Sequence, residues 1–180
     1  MIVSNKSLIK GKVTVTVFDA KGDVKRFEPR WWEKLFGLPG RKMQMTNHNI
    51  VTDEGDALIA DLMQETPERT KVDNTNGVIG VGTGFTSETK GTDALVTQEG
   101  SDEAMDATYP KTEGDWAAAD DNVVQYRSTF EAGDLNASGI DEALLGNGTD
   151  TLAYAEITPA VNVTTADTLQ VDWEITFLGS

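Results

Sequence analysis

Residues 48–63 of the chain, HNIVTDEGDALIADLM, form the segment around which we expect the rest of the protein to pack. Thr52 or Asp53 can begin a helix, because a short side-chain oxygen accepts hydrogen bonds from the unpaired N–H groups of the first turn. The apolar side chains that follow fall on one stripe: Leu58, Ile59, Leu62 and Met63. This spacing predicts an amphipathic helix over residues 53–65, ended by Thr66-Pro67.

Strands and turns are predicted on both sides of this helix. Lys12–Phe18 alternates apolar and polar residues, and the turn after it predicts a hairpin over Lys12–Glu28. The last strand, Thr168–Leu178, alternates strictly, which is typical of a sheet with one buried and one solvated face. Further strands are predicted at Met43–Val51, Val78–Gly82, Asn122–Phe130 and Thr151–Thr158. The pattern predicts a mainly β protein, an antiparallel, jelly-roll-like β-sandwich with one helix.

The segments between these strands have weaker patterns. Asp93–Glu99 is predicted to form a single helical turn, and Gly133–Asn147 is predicted to be rich in turns. Glu99–Asp121 is acidic and poor in branched apolar residues, which predicts a long loop.

Charge divides the chain into two parts. The net charge is −15, which excludes nucleic acid as the expected partner because phosphates would be repelled. Residues 1–42 carry ten Lys or Arg against four Asp or Glu, a net of +6, and residues 43–180 have a net of −21. We therefore expect a basic N-terminal hairpin and arm over 1–42 and an acidic sandwich body over 43–180. An acidic body can simply favour solubility, or the arm can bind the acidic body of a neighbouring copy.

The segment EPRWWEKLFGLPGRK, residues 28–42, concentrates large apolar side chains in the basic part. Pro29 is expected at the first position of a short helix. A helix this short is not stable alone, so it must bury its large apolar side chains against another surface: Trp31, Trp32, Leu35 and Phe36. Two alternatives are open: packing on the protein's own core, or anchoring an interface between subunits, for which Trp flanked by Arg is typical. The interface hypothesis selects Lys25, Arg26, Arg30, Trp31, Trp32, Phe36, Arg41 and Lys42.

Catalytic, cofactor and metal sites are not predicted. The glycines of GVIGVGTGF, residues 77–85, lack the dinucleotide-binding spacing, and the calcium-loop pattern beginning at Asp73 has Gly84 where a Glu is required. His48 is the single histidine and cysteine is absent, so a multi-histidine or thiolate metal site is not available within one chain. We expect no enzyme. Two rival hypotheses are a glycan-binding module that uses Tyr109 and Trp116, and a hydrolase that uses His48.

Several segments in order give a resemblance to a known class: VTVTVFDAKGDV, HNIVTDEGDALIADLM, IGVGTGFTSETKGTDALVTQE, NVVQYRSTFEAG and TLAYAEITPAVNVTTADTLQVDWEITF. This order resembles small structural proteins, head- or tail-associated, in the virions of tailed bacteriophages. It spans Val13 to Phe177. The segment 28–42 and the acidic loop 100–121 depart from that pattern.

The resemblance implies a non-enzymatic subunit present in many copies, as decoration or cement on the capsid surface or as part of the neck or tail. The alternative is a receptor- or glycan-binding module of a tail fibre or baseplate. The implied partners are copies of itself and other virion proteins, namely the major capsid, neck or tail proteins. No signal peptide or apolar membrane span is present, so we expect synthesis in the host cytoplasm, a location in the virion and no membrane partner.

Overall fold

The computed structural model describes residues 9–112 and 122–177, which form ten strands and two helices. The strands are β1 (Ile9–Phe18), β2 (Gln44–Val51), β3 (Val78–Thr83), β4 (Thr97–Gln98), β5 (Glu103–Ala104), β6 (Lys111–Thr112), β7 (Val123–Phe130), β8 (Ala137–Gly146), β9 (Thr151–Val163) and β10 (Thr168–Phe177). The helices are α1 (Trp31–Leu35) and α2 (Asp53–Leu62).

The strands form one continuous antiparallel path in the order β4-β3-β8-β9-β2-β1-β10-β7-β6, and β5 pairs with β3 off that path. The path has two halves, one with β1, β10, β7 and β6 and the other with β4, β3, β8 and β9. β2 belongs to both halves, because Gln44–Asn49 pairs with β1 whereas Ile50 and Val51 pair with β9. Residues 103–106 bring the two halves together: β5 pairs with β3, and the Asp106 N–H donates to the Arg127 carbonyl of β7 at 2.8 Å.

The core lies between these two halves. The inward side chains of β1 and β10 alternate as expected from the sequence, and Val13, Val15, Val171 and Trp173 are fully buried. They belong to one apolar cluster with residues of the other half, such as Ile79 of β3 and Leu145 of β8. The predicted mainly β, antiparallel class is confirmed, and two halves that enclose one core are consistent with a sandwich.

The predicted helix is present as α2, although it ends at Leu62 rather than at residue 65. Thr52 caps it by accepting the Gly55 N–H at 2.9 Å, and its hydroxyl also donates to the Thr151 carbonyl. Only Gly55 and Leu58 of the helix are buried, and Met63 is exposed. The expectation that the chain packs around this helix is wrong, because the strands bury most of the apolar side chains and α2 covers one end of their core.

Three other predictions are wrong. Residues 93–99 contain β4 rather than a helical turn, and residues 133–147 contain the ten-residue strand β8. The pattern of β8 is irregular because Gly139 has a positive φ at a bulge and the polar Glu142 faces the core. The return strand of the 12–28 hairpin is reduced to isolated bridges, since both edges of β1 pair with longer partners, β2 and β10.

The remaining strand predictions agree with the structure to within a residue or two, except that β1 begins at Ile9 rather than Lys12 and β9 continues past Thr158 to Val163. β1 lies inside the sheet, between β2 and β10. Residues 9–18 of the expected N-terminal unit therefore share the core of the 43–180 body, and among the described residues of that unit the segment after Phe18 departs from it. Across the two described ranges, neither helix has the length and apolar character needed to cross a membrane.

Candidate functional site

The connection between β1 and β2, residues 19–43, departs from the sheet and returns to it; we call it the 19–43 loop. Its base is held by backbone hydrogen bonds from Met43 N–H to the Lys25 carbonyl, 2.7 Å, and from Phe27 N–H to the Arg41 carbonyl, 2.9 Å. The Arg26 guanidinium donates to the Gly40 carbonyl at 2.8 Å. Gly40 is required here, because a Cβ atom would lie 1.8 Å from the Phe27 carbonyl oxygen. The two arms of the loop are therefore closely joined.

The tip of the loop is α1, a helix too short to be stable alone. Arg30 is its N-cap, so Pro29 precedes the helix rather than occupying its first position. The Arg30 N–H donates to the Glu33 carboxylate at 2.6 Å. At the other end, Gly37 has φ +63° and the Leu38 N–H donates to the Glu33 carbonyl at 2.8 Å. These bonds fix the direction in which the tip presents its side chains.

The apolar side chains of this tip form what we call the aromatic patch: Trp31, Trp32, Leu35, Phe36 and Leu38. Trp31 is 79% exposed, Leu35 72% and Phe36 71%. Packing on the protein's own core, one of the two alternatives open from the sequence, is therefore contradicted by the structure. Contiguous exposed apolar side chains of this size are typical of an interaction site.

The structure brings all eight sequence-predicted interface residues onto the same loop, in two groups. Arg30, Trp31, Trp32 and Phe36 lie at the tip, whereas Lys25, Arg26, Arg41 and Lys42 lie at the base. The charge of Lys25 is paired within the chain, because its ammonium donates to the Asp167 carboxylate at 2.5 Å. Burial tends to raise the pKa of Asp167, but the bonds from Lys25 and Thr164 outweigh it and the pKa is lowered. Lys25 therefore serves to attach the loop to the β9–β10 turn.

Leu35 and Leu38 extend the patch beyond the residues selected from the sequence. Both are exposed, and Leu38 lies between the glycine and the proline that end the helix. Leu35 was counted among the large apolar side chains of the segment but was not selected for the interface, and Leu38 was not singled out from the sequence. Which of these side chains point outward depends on the helix ending at Leu35, and the sequence alone does not determine that.

A second exposed apolar surface lies at the end of the sheet that carries α2. We call it the α2 groove, and it lies between α2, the segment at Val72 and the end of β10. Its volume is about 440 Å³. The apolar residues that line it include Leu58, Leu62, Met63, Val72, Tyr126 and Phe177. Leu58 is the buried anchor, whereas Met63 is 84% exposed. The predicted apolar stripe of α2 therefore only partly faces the core.

Tyr126 is buried in the wall of this groove, and burial raises its pKa to about 12. Above the ordinary value of 10.0, the unfolded chain releases the phenolic proton while the folded chain retains it. We therefore expect the stability that this group contributes below pH 10 to be lost as the pH rises toward about 12. Tyr126→Phe should flatten that decline in urea unfolding measured across alkaline pH. An equally steep decline in the variant would contradict the assignment.

Glu142 is a buried carboxylate that was not singled out from the sequence. It lies on β8, fully buried, and accepts the Val96 N–H at 2.9 Å, the Thr97 N–H at 3.2 Å and the Tyr154 hydroxyl. Burial raises the pKa of Tyr154, and the bond to Glu142 raises it further. Gly82 leaves room for the carboxylate, since a Cβ there would lie 2.7 Å from its Oε1. The donors join β4 to β8 and β9, which indicates a structural role.

The remaining candidates from the sequence have structural explanations. Asp73 accepts the N–H groups of Thr75 and Asn76, both at 3.0 Å, so the calcium-like segment is a turn. The glycine-rich segment 77–85 is largely β3. Among the described residues, no group of three His, Cys, Asp or Glu is placed to hold a metal ion.

Two of the three residues named in the rival hypotheses, His48 and Tyr109, belong to the part of the chain that the structure describes. His48 is exposed on β2 opposite Lys12. Tyr109 is buried, and the Lys111 ammonium and the Arg127 guanidinium already contact its ring, 4.8 Å and 4.9 Å from the ring centre. Trp116, the other residue of the expected sugar platform, lies outside the described residues.

Comparison with known proteins does not extend these observations. No protein-family model matches the chain, and no significant match was found among curated proteins or solved structures.

Proposed function

We propose that this chain is a non-enzymatic structural subunit of a tailed-phage virion, held in the particle by the aromatic patch. The observation that carries the proposal is the exposure of Trp31, Leu35 and Phe36 on a loop whose base and cap are fixed by hydrogen bonds. Burial of these exposed apolar side chains by a partner removes them from water, which favours binding. Trp and Arg are also the residues that dominate binding energy at interfaces. The sequence order of strands and turns supports the virion assignment by resemblance.

The same features support a role as one of many copies on the capsid surface or on the neck or tail. The body outside residues 1–42 has a net charge of −21, which favours solubility of the free subunit before assembly. The basic side chains around the patch give it attraction to an acidic protein surface. Other virion proteins, or further copies of this chain, are the partners that the proposal requires.

The test is a paired substitution at the patch. Trp31→Ser/Phe36→Ser should leave the free energy of unfolding within about 0.5 kcal/mol of the parent, because both side chains are largely exposed. In cells that produce the particle, the parent chain should sediment with particles in a density gradient, and the variant should stay with free protein.

Val96→Ser is the matched control, since Val96 is also an exposed apolar residue but lies outside the loop. It should sediment with particles like the parent. Sedimentation of the patch variant with particles would contradict the proposal, as would a loss of stability typical of a core truncation, about 3–5 kcal/mol.

A further inference from the structure

The aromatic patch and the α2 groove lie at opposite ends of the same sheet. The 19–43 loop leaves β1 at Phe18, which is paired with Thr168 at the start of β10. The groove includes Phe177, at the other end of β10, which is paired with Ile9 at the start of β1. β1 has ten residues, so about 30 Å separates the two ends at the usual rise per residue. The patch is also exposed in the structure of the single chain, so it is not covered by the groove of its own copy.

The two surfaces are complementary in chemistry. The patch is apolar within a basic segment, because residues 25–42 contain six Lys or Arg against two Asp or Glu, a net of +4. The groove is apolar within an acidic segment, because residues 53–73 contain seven Asp or Glu against two Lys or Arg, a net of −5. Lys90 pairs with Asp56 of that segment, which leaves the acidic excess in place. Opposite potentials across an interface favour encounter and set its orientation.

Charge alone does not select the groove, because the acidic residues are spread over the whole body. The selection comes from apolar shape. The groove, at about 440 Å³, is within the range of roughly 300–1,000 Å³ that protein pockets use to bury a large ligand group. Its rim carries the exposed Met63, a flexible side chain that adapts to aromatic partners. A rigid tip bearing Trp and Phe is a fitting occupant.

We propose that the aromatic patch of one copy of this chain binds in the α2 groove of the next copy, in a head-to-tail contact. The inference rests on the proposed role of the patch in assembly, and it adds the partner and the partner's site. Because each copy carries both surfaces at opposite ends, the contact leaves one patch and one groove free in a dimer. Further copies then add in the same way, and the assembly closes into a ring or continues as a filament.

The experiment uses two variants that each disable one surface. Trp31→Ser/Phe36→Ser removes the patch and keeps the groove, whereas Met63→Lys adds a positive charge at the groove and keeps the patch. Met63 is exposed, so this substitution should leave folding intact. Val96→Lys is the matched control, because it makes the same charge change at an exposed apolar residue outside both surfaces. Masses are measured by light scattering over a wide range of concentration, at low and high salt.

We expect the parent and Val96→Lys to form oligomers that weaken as salt rises. Each disabled variant should have a dissociation constant raised roughly 30-fold or more, as for loss of a binding hot spot. Mixing the two disabled variants should give a dimer that contains one of each and grows no further. This complementation is specific to a head-to-tail contact, since a patch-to-patch contact would not be restored by mixing.

Other results would overturn the inference in distinguishable ways. If Met63→Lys assembles like the parent while the patch variant does not, the groove is not the partner site, and the proposed role of the patch stands. If the parent is monomeric throughout, the second copy is not the occupant, and the particle sedimentation test decides the proposed function separately. Flotation of the parent, but not the patch variant, with vesicles containing anionic lipid and no oligomer in solution would identify a membrane as the occupant instead.

Discussion

Glu142→Ala should lower the free energy of unfolding by about 3–4 kcal/mol, the largest effect that we expect from a single substitution. The carboxylate is fully buried on β8 and accepts hydrogen bonds from Val96, Thr97 and Tyr154. A hydrogen bond to a charged group contributes about 1.5–3 kcal/mol, and a buried donor left without an acceptor costs about 1–3 kcal/mol. The truncated side chain also leaves a cavity.

Urea unfolding of Glu142→Ala, Tyr154→Phe and Glu142→Gln shows how much each hydrogen bond contributes to this free energy of unfolding. Tyr154→Phe removes one bond to the carboxylate and keeps the other two, so it should cost about 2 kcal/mol. Glu142→Gln keeps the shape but replaces one acceptor oxygen with a donor, so its cost should fall between the other two. Amide hydrogen exchange at Val96 and Thr97 should accelerate in Glu142→Ala beyond the global change, because β4 loses its attachment. A Glu142→Ala protein as stable as the parent would show that the carboxylate does not hold β4.

Gly55→Ala should destabilise the protein by about 3 kcal/mol, contrary to what helix propensity predicts. In an exposed helix, replacing Gly with Ala stabilises by about 1 kcal/mol. Here a Cβ on Gly55 would lie 2.2 Å from the Leu152 carbonyl oxygen of β9, and that oxygen already accepts the Thr52 N–H at 3.2 Å. Backbone cannot move as a flexible side chain does, so α2 must shift away from β9 and lose its packing.

Ala60→Gly is the matched control on the same helix, since Ala60 is exposed. It should cost about 1 kcal/mol by propensity alone. Thermal or urea unfolding then compares the stability change caused by Gly to Ala at residue 55 with that caused by Ala to Gly at residue 60. A Gly55→Ala protein more stable than the parent would mean that α2 does not approach β9 as closely as the structure describes.

Strand assignments follow sequence closely where one face of a strand is buried and the other solvated. β10 was predicted over its full length, because Val171 and Trp173 alternate with charged residues. β8 was missed because its buried face includes Glu142 and its path is interrupted at Gly139. In the sequence, a Glu predicts a solvated position, so a carboxylate that faces the core breaks the expected alternation. The burial of Glu142 depends on its partners, the Tyr154 hydroxyl and the N–H groups of Val96 and Thr97, which are all distant from it in the sequence.

The candidate site shows the same division. The composition of residues 25–42 gave the eight candidate interface residues and the short helix, since these are properties of local sequence. Whether the Trp side chains were buried or exposed could not be inferred, because a strongly apolar segment is equally suited to a core and to an interface. The α2 groove was not predicted at all, since it is formed by α2, Val72 and Phe177 from distant parts of the chain.

The sequence by itself thus determined the mainly β class, the α2 helix with a cap at Thr52 or Asp53, and the charge division. These depend on periodicity, capping and composition, which act over a few neighbouring residues. The tertiary structure alone decided that β1 lies inside the sheet, that α2 covers one end of the core, and that the 19–43 loop and the α2 groove are at opposite ends of β1 and β10. Those relations come from pairing between distant strands, which no local pattern specifies.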